Sequence, residues 1–242
     1  MLSIHQLTKF YGKENIAVDE VSFTVNSGEI VGFVGHNGAG KTTTLKSCAG
    51  IIHFDRGEIL IDGQSIKEHA VACKQKIAFV PDTPTLYQYL TGRQYLNFIC
   101  DIYHVPSTVR KEKIEELAKK FEIEYALGDL ISTYSHGMQQ KIALIAAFVH
   151  DPKLLILDEP FVALDPKGFI TLKGLMSDLC SQGGAVLFSS HVLEVVEKLC
   201  HHLVMIRKGS IVTSGPLEKV LGNKSLEHIF MELTENESEK YD

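Results

Sequence analysis

Glu29-Ile30-Val31-Gly32-Phe33-Val34 runs directly into Gly35-His36-Asn37-Gly38-Ala39-Gly40-Lys41-Thr42-Thr43. The first six residues form a short, branched apolar run of the kind a buried strand needs. The next stretch satisfies GxxxxGK[ST] in the strand-to-helix setting that gives this spacing its meaning. Glycines let the backbone curl with its N–H groups inward, and the helix expected from 42–50 (TTTLKSCAG) adds the partial positive charge of its N-terminus. Such a loop cradles phosphate. Lys41 is suited to β- and γ-phosphates, the Thr42 hydroxyl to a hard cation such as Mg2+, and Thr43 to the α-phosphate. A glycine turn that merely links strand to helix explains neither the lysine nor the paired threonines.

Outward along the chain, the apolar run of 153–160 (KLLILDEP) ends in Asp158 and Glu159. That places two carboxylates where a buried strand emerges at the carboxyl edge of a sheet, the ligand edge of open α/β folds. Buried acids without partners are costly, and a magnesium ion with a polarised water offsets that cost. Asp158 is therefore the candidate for the ion's shell and Glu159 for the general base on attacking water. Together the loop and the acidic pair specify a nucleoside triphosphatase.

Further short runs, at 3–11, 20–25, 57–63, 76–81, 184–191 and 202–209, are apolar, branched and bounded by Gly, Pro, Ser or Asp, and read as strands. Between the strands expected at 76–81 and 153–160 the texture changes. Segments 92–105, 108–123 and 135–150 carry apolar residues at three-to-four spacing, so a helical lobe interrupts the sheet. The sheet must then be completed by distant segments, an α/β layout. The acidic, aperiodic 232–242 is expected to fray in solvent.

Bulk numbers bound the alternatives. With 45% hydrophobic and 22% charged residues over 242 positions, the chain is a globular domain, neither disordered nor coiled coil. A net charge of -6 without a Lys/Arg run gives no footprint for nucleic acid. Cys48, Cys73, Cys100, Cys180 and Cys200 are odd in number and form no CxxC, the pattern of reduced cytosolic thiols. No stretch of the sequence reaches the length of a bilayer span, and no signal-peptide order is expected at its start.

Tyr134-Ser135-His136-Gly137-Met138-Gln139 narrows the class. It resembles the signature motif, usually LSGGQ, of the ATP-binding cassette (ABC) ATPases, and the resemblance covers almost the whole chain. Ala163-Leu164-Asp165 resembles the D-loop and His191, after Phe188-Ser189-Ser190, the switch histidine. The resemblance implies a P-loop NTPase (RecA-like) core with an antiparallel β subdomain and an inserted α-helical subdomain. It divides the chain into 1–86, core with β subdomain and phosphate loop; 87–150, helical subdomain with the signature; 151–220, second core segment; and 221–242, a C-terminal helix and acidic tail.

The same resemblance implies site residues and partners. Lys41, Glu159 and His191 would be catalytic. ATP would lie on Gly35, His36, Asn37, Gly38, Ala39, Gly40, Lys41, Thr42 and Thr43, with Ser135 and Gly137 supplied by the opposite copy of a homodimer. Thr42, Asp82 and Asp158 would hold Mg2+, and Tyr11 would stack on adenine or else simply pack. The chain departs from the family at Asp82, where a glutamine is usual, at His136 and Met138 in the signature, and at Phe161-Val162 before the D-loop. VPDTPTLYQYLT, YSHGMQQK and DEPFVALDP look like bacterial ABC-2-type exporter ATPases, particularly the Ecs type. A separate integral-membrane permease would follow, with the chain cytoplasmic and peripheral on the inner face of the membrane. Leu86, Tyr87, Tyr89 and Leu90 would line a groove for that partner or pack the helical lobe. Two other classes remain open: a soluble ABC-type ATPase acting as scaffold or regulator, and a small-molecule kinase, which the signature-like segment and His191 disfavour.

Overall fold

The computed structural model describes residues 1–12 and 15–235. Strands β1 (Leu2–Tyr11), β2 (Asn15–Val25) and β3 (Ile30–Val34) lead into helix α1 (Lys41–Cys48). Strands β4 (Arg56–Ile61) and β5 (Gln64–Ser65), the short α2 (Ala70–Lys74) and strand β6 (Ile77–Val80) follow. Helices α3 (Gly92–Ile102), α4 (Ser107–Lys120) and α5 (His136–Phe148) then intervene before the sheet resumes at β7 (Leu154–Asp158). Next come α6 (Pro166–Ser181), β8 (Ala185–Ser190), α7 (Leu193–Leu199), β9 (His202–Arg207), β10 (Ser210–Pro216), α8 (Leu217–Leu221) and α9 (Leu226–Glu235). Of the acidic segment 232–242, expected to fray, residues 232–235 instead form the last turn of α9, and 236–242 lie outside the described residues.

Two sheets form. One is antiparallel, ordered β2-β1-β4-β5; the other is ordered β10-β9-β3-β8-β7-β6, parallel except for its β10 edge. The pairing of β6 with β7 closes the larger sheet across the whole helical insertion.

Why the central strands read as unbroken apolar runs is visible in their packing. Leu155 and Leu157 of β7, Val186 and Phe188 of β8 and Val34 of β3 enter the core shared with the helices. Their neighbours Leu154, Ile156, Ala185, Leu187 and Phe33 enter a second core against the antiparallel sheet and α1. A strand with helix on one side and sheet on the other must be apolar at every position. Edge strand β10 instead alternates exposed and half-buried residues, so its serine, threonine and glycine content gives no apolar run to read.

Helices α3, α5 and α6 start where side chains satisfy free N–H groups. Thr91 and Gln94 form a reciprocal capping box on α3, Ser135 accepts the Met138 N–H on α5, and Asp165 accepts the Gly168 N–H on α6 with Pro166 behind it.

Candidate active site

The carboxyl ends of β3, β7 and β8 converge on one cleft of about 320 Å3, lined by residues of 36–43 together with Ala17, Asp82, Asp158 and Glu159. Its curl is built by backbone crowding. A Cβ on Gly35 would lie 2.3 Å from the Ile206 carbonyl oxygen, and one on Gly40, at φ 106°, 2.5 Å from that of Ala17. Only glycine fits either place.

Lys41 is buried, and its ammonium donates to the carbonyls of Gly35 (2.6 Å) and His36 (3.3 Å) and lies 3.8 Å from Glu159 Oε1. The Thr42 hydroxyl donates to Asp158 Oδ2 at 2.6 Å, and Ser189 Oγ donates to Asp158 Oδ1 at 2.5 Å. Both oxygens of an almost fully buried carboxylate are thus held by hydroxyls. Hard oxygen donors gathered beside a phosphate loop are the set that Mg2+ takes, with phosphate oxygens and water completing its octahedron. The residues present therefore fit that ion.

Glu159 adopts φ 49°, left-handed for a non-glycine residue. Three contacts hold it there. Its N–H donates to Ser189 Oγ at 3.0 Å, its Oε2 accepts the His191 N–H at 3.3 Å, and His191 Nδ1 lies 2.9 Å from the same oxygen. The other oxygen, Oε1, is buried with no hydrogen-bond partner among the described residues, only the more distant Lys41 ammonium. A carboxylate that is oriented on one side and unsatisfied on the other is suited to accept a proton from water.

Asp82, just beyond β6, borders the cleft and also a neighbouring groove of about 420 Å3 lined in part by Pro84, Leu86, Tyr103 and His150. Its Oδ1 accepts the Thr83 N–H at 2.7 Å. Of the four residues expected along a partner groove only Leu86 lines it; Tyr87 and Tyr89 are exposed, and the Leu90 carbonyl is taken by the Ile131 N–H. Tyr11 ends β1 opposite Asn15, on the hairpin that carries Ala17 to the cleft; its ring is 48% exposed and lies 5.6 Å from the Lys9 ammonium.

Ser135 and Gly137 do not line this cleft. They open α5, and a Cβ on Gly137 would lie 3.0 Å from the Ala163 carbonyl oxygen. Two residues not anticipated from sequence tie this helix to the acidic strand end: Gln140 donates to the Pro160 carbonyl at 3.3 Å, and Lys141 pairs with Asp165 at 3.0 Å. Ser189 is a third; the serine pair before His191 was its signal, without indicating which hydroxyl faces the acids. The neighbouring His201 is also employed, its Nδ1 accepting the Ile30 N–H at 3.0 Å where β3 begins. A larger cavity of about 610 Å3 lies at the amino ends of β7 and β8, where Lys113, Lys120 and Lys153 are already paired with Asp151, Glu116 and Asp62.

Comparison with known proteins agrees with this fold. The family model described as ABC transporter matches residues 18–162. The ABC-type transporter ATP-binding protein EcsA of Bacillus subtilis is 30% identical, with 98% of each chain covered. Two relatives, from Nostoc sp. and Bacillus subtilis, are longer, and the chain spans 64% and 68% of them. A solved structure of an ATP-binding subunit of an ABC transporter superposes with a TM-score of 0.93 at 30% identity, covering 97% of this chain and all of that one. A dimeric ATP-binding cassette, MJ0796, in a post-hydrolysis state with ADP and Pi, shares the fold with a TM-score of 0.81 at 24% identity, covering 90% of this chain and 99% of that one. The chain belongs to the ABC transporter family, as one of its ATP-binding, ATP-hydrolysing subunits.

Proposed function

We propose that this subunit hydrolyses Mg-ATP at a site shared between two copies of the chain, and that the closing and opening of the pair drives a separate membrane-spanning permease of exporter type. Loop 35–43 binds the phosphates through backbone N–H groups and the α1 N-terminus, and Lys41 turns from its carbonyl partners to the β- and γ-phosphates. Bound Mg2+ would neutralise phosphate charge; Thr42 and Asp158 would hold it, with Asp82 at its edge. Glu159 takes the proton of the attacking water, and His191 orients it and meets the γ-phosphate. Tyr11 stacks on adenine. Ser135 and Gly137, which lie away from the cleft of their own chain, face the γ-phosphate bound to the partner copy. The dimeric arrangement of the MJ0796 cassette supports that reading.

A permease partner accords with the groove beside Asp82 and with the fact that no helix among the described residues is long and apolar enough to cross a membrane. Such a partner would hold the subunit at the inner face of the membrane. The divisions at 1–86, 87–150, 151–220 and 221–242 belong to the same proposal, with the helical segment as the lever between nucleotide and permease.

The observation that carries the proposal is Glu159, held between His191 at 2.9 Å and Lys41 at 3.8 Å with one oxygen lacking a hydrogen-bond partner among the described residues. Replacing it by glutamine keeps the shape and removes the base. Glu159→Gln is expected to bind ATP as the parent does and to lose about 10²- to 10⁴-fold in turnover, the range assigned to general-base catalysis. Unchanged turnover in a phosphate-release assay would remove Glu159 from that role.

A further inference from the structure

The phosphate loop is touched by a residue of α9. The rings of His36 and Phe230 lie 4.5 Å apart, centroid to centroid, with planes tilted by 53°. His36 is the residue around which the loop closes: its carbonyl accepts the Ala39 N–H at 3.1 Å and the Lys41 ammonium at 3.3 Å. Phe230 is half-buried and packs on the core shared with the helices, so it presents a fixed ring to the loop.

Its helix, α9, is fastened at its start. Ser225 Oγ accepts the His228 N–H at 3.3 Å, Leu226 is fully buried, and the Leu226 N–H donates to the Glu197 carboxylate of α7. Glu232, one turn further on, pairs with Lys224 at 2.6 Å and with His228 at 3.0 Å. Helix α7 begins directly after the His191 turn. One terminal helix thus contacts the phosphate loop through Phe230 and the element following His191 through Glu197.

We infer that α9 is a strap on the phosphate loop and that Phe230 is a positioning residue for nucleotide binding, acting through His36. The inference rests on the reading of loop 35–43 as the ATP site. A loop with glycines at 35, 38 and 40 has much backbone freedom to lose on gripping phosphate. An aromatic clamp on its second residue removes part of that freedom beforehand, and preorganisation of this kind appears as affinity. It leaves the chemical step alone, because neither ring reaches Glu159 or His191 by any contact described above.

The test is a set of full-length variants assayed for binding of a fluorescent ATP analogue and for steady-state turnover. Phe230→Ala is expected to weaken binding and raise KM by about two- to tenfold, the range for loss of an aromatic pair, with kcat held within about twofold. Phe230→Tyr should restore KM, and Phe230→Leu, which keeps bulk without the ring, should restore it only in part. His36→Ala combined with Phe230→Ala should bind no more weakly than His36→Ala alone, since the two act as one contact. Parental KM in Phe230→Ala, a matching fall in kcat, or independent losses in the double variant would each overturn the strap. If Phe230→Ala does not fold, Phe230→Leu and His36→Ala carry the same comparison. Lys41→Ala is run alongside: parent and Lys41→Ala binding alike would overturn the ATP-site reading itself, whereas a loss there with no response at Phe230 overturns only the strap.

Discussion

At the scale of single residues, the site depends on how two adjacent acids are held at a strand end. Glu159 occupies the left-handed region at φ 49°, a conformation costing about 1–2 kcal/mol for an L-residue. Ser189 stabilises it by accepting the Glu159 N–H while donating to Asp158. One hydroxyl thereby ties the Asp158 carboxylate to the Glu159 backbone. Ser189→Ala should lower kcat by about tenfold, since hydrogen bonds to charged groups are worth about 1.5–3 kcal/mol and part of that loss falls on the transition state. Steady-state kinetics with KM within about threefold of the parent would support this assignment; an unaltered kcat would contradict it. The motif residues were legible beforehand because GxxxxGK[ST] and the paired acids are local spacings. Ser189 and Phe230 were not, because their roles depend on contacts with residues 31 and 194 positions away in sequence, to Asp158 and His36.

At the scale of elements, the buried strands announced themselves through unbroken apolar runs, and the three long insertion helices through their periodicity. Strands β5 and β10 and helices α2, α7 and α8 did not, being two to seven residues long and mixed in character. Just beyond α5 lies a titratable group whose consequence can be measured. His150 stacks on Tyr103 at 3.6 Å, its Nδ1 lies 3.3 Å from the Ala146 carbonyl, and its Nε2 is buried with no hydrogen-bond partner among the described residues. Burial holds its pKa below the ordinary histidine value of 6.5. The unfolded chain therefore takes up the proton first, so the stability tied to neutral His150 is present above about pH 6.5 and is lost as pH falls from there through the lower folded pKa. His150→Phe should show a shallower loss of melting temperature between about pH 7.5 and 5.5, the difference not exceeding about 1.4 kcal/mol per pH unit for one proton. Asp62 and Asp165, held low by Lys76 and Lys141, titrate at lower pH and are unchanged in the variant. Parallel melting curves for parent and variant would contradict the assignment.

At the scale of the whole molecule, the sheet gathers the phosphate loop, Asp158, Glu159 and His191 at one edge, while Ser135 and Gly137 open α5 outside that cleft. The central proposal rests on this separation: that the site is completed by a second copy. It can be tested without any membrane partner by mixing two disabled chains. Lys41→Ala lacks its own phosphate grip and keeps its signature turn. Ser135→Asp keeps the helix cap, because aspartate caps as well as serine, and sets a negative charge against the partner's γ-phosphate. The decisive measurement is ATP turnover of each variant alone and of their equal mixture. The account predicts near-background rates for each alone and recovery to about a quarter of the parental rate in the mixture, where one site in four combines an intact loop with an intact signature. Parental turnover by Ser135→Asp alone, or no recovery on mixing, would contradict it.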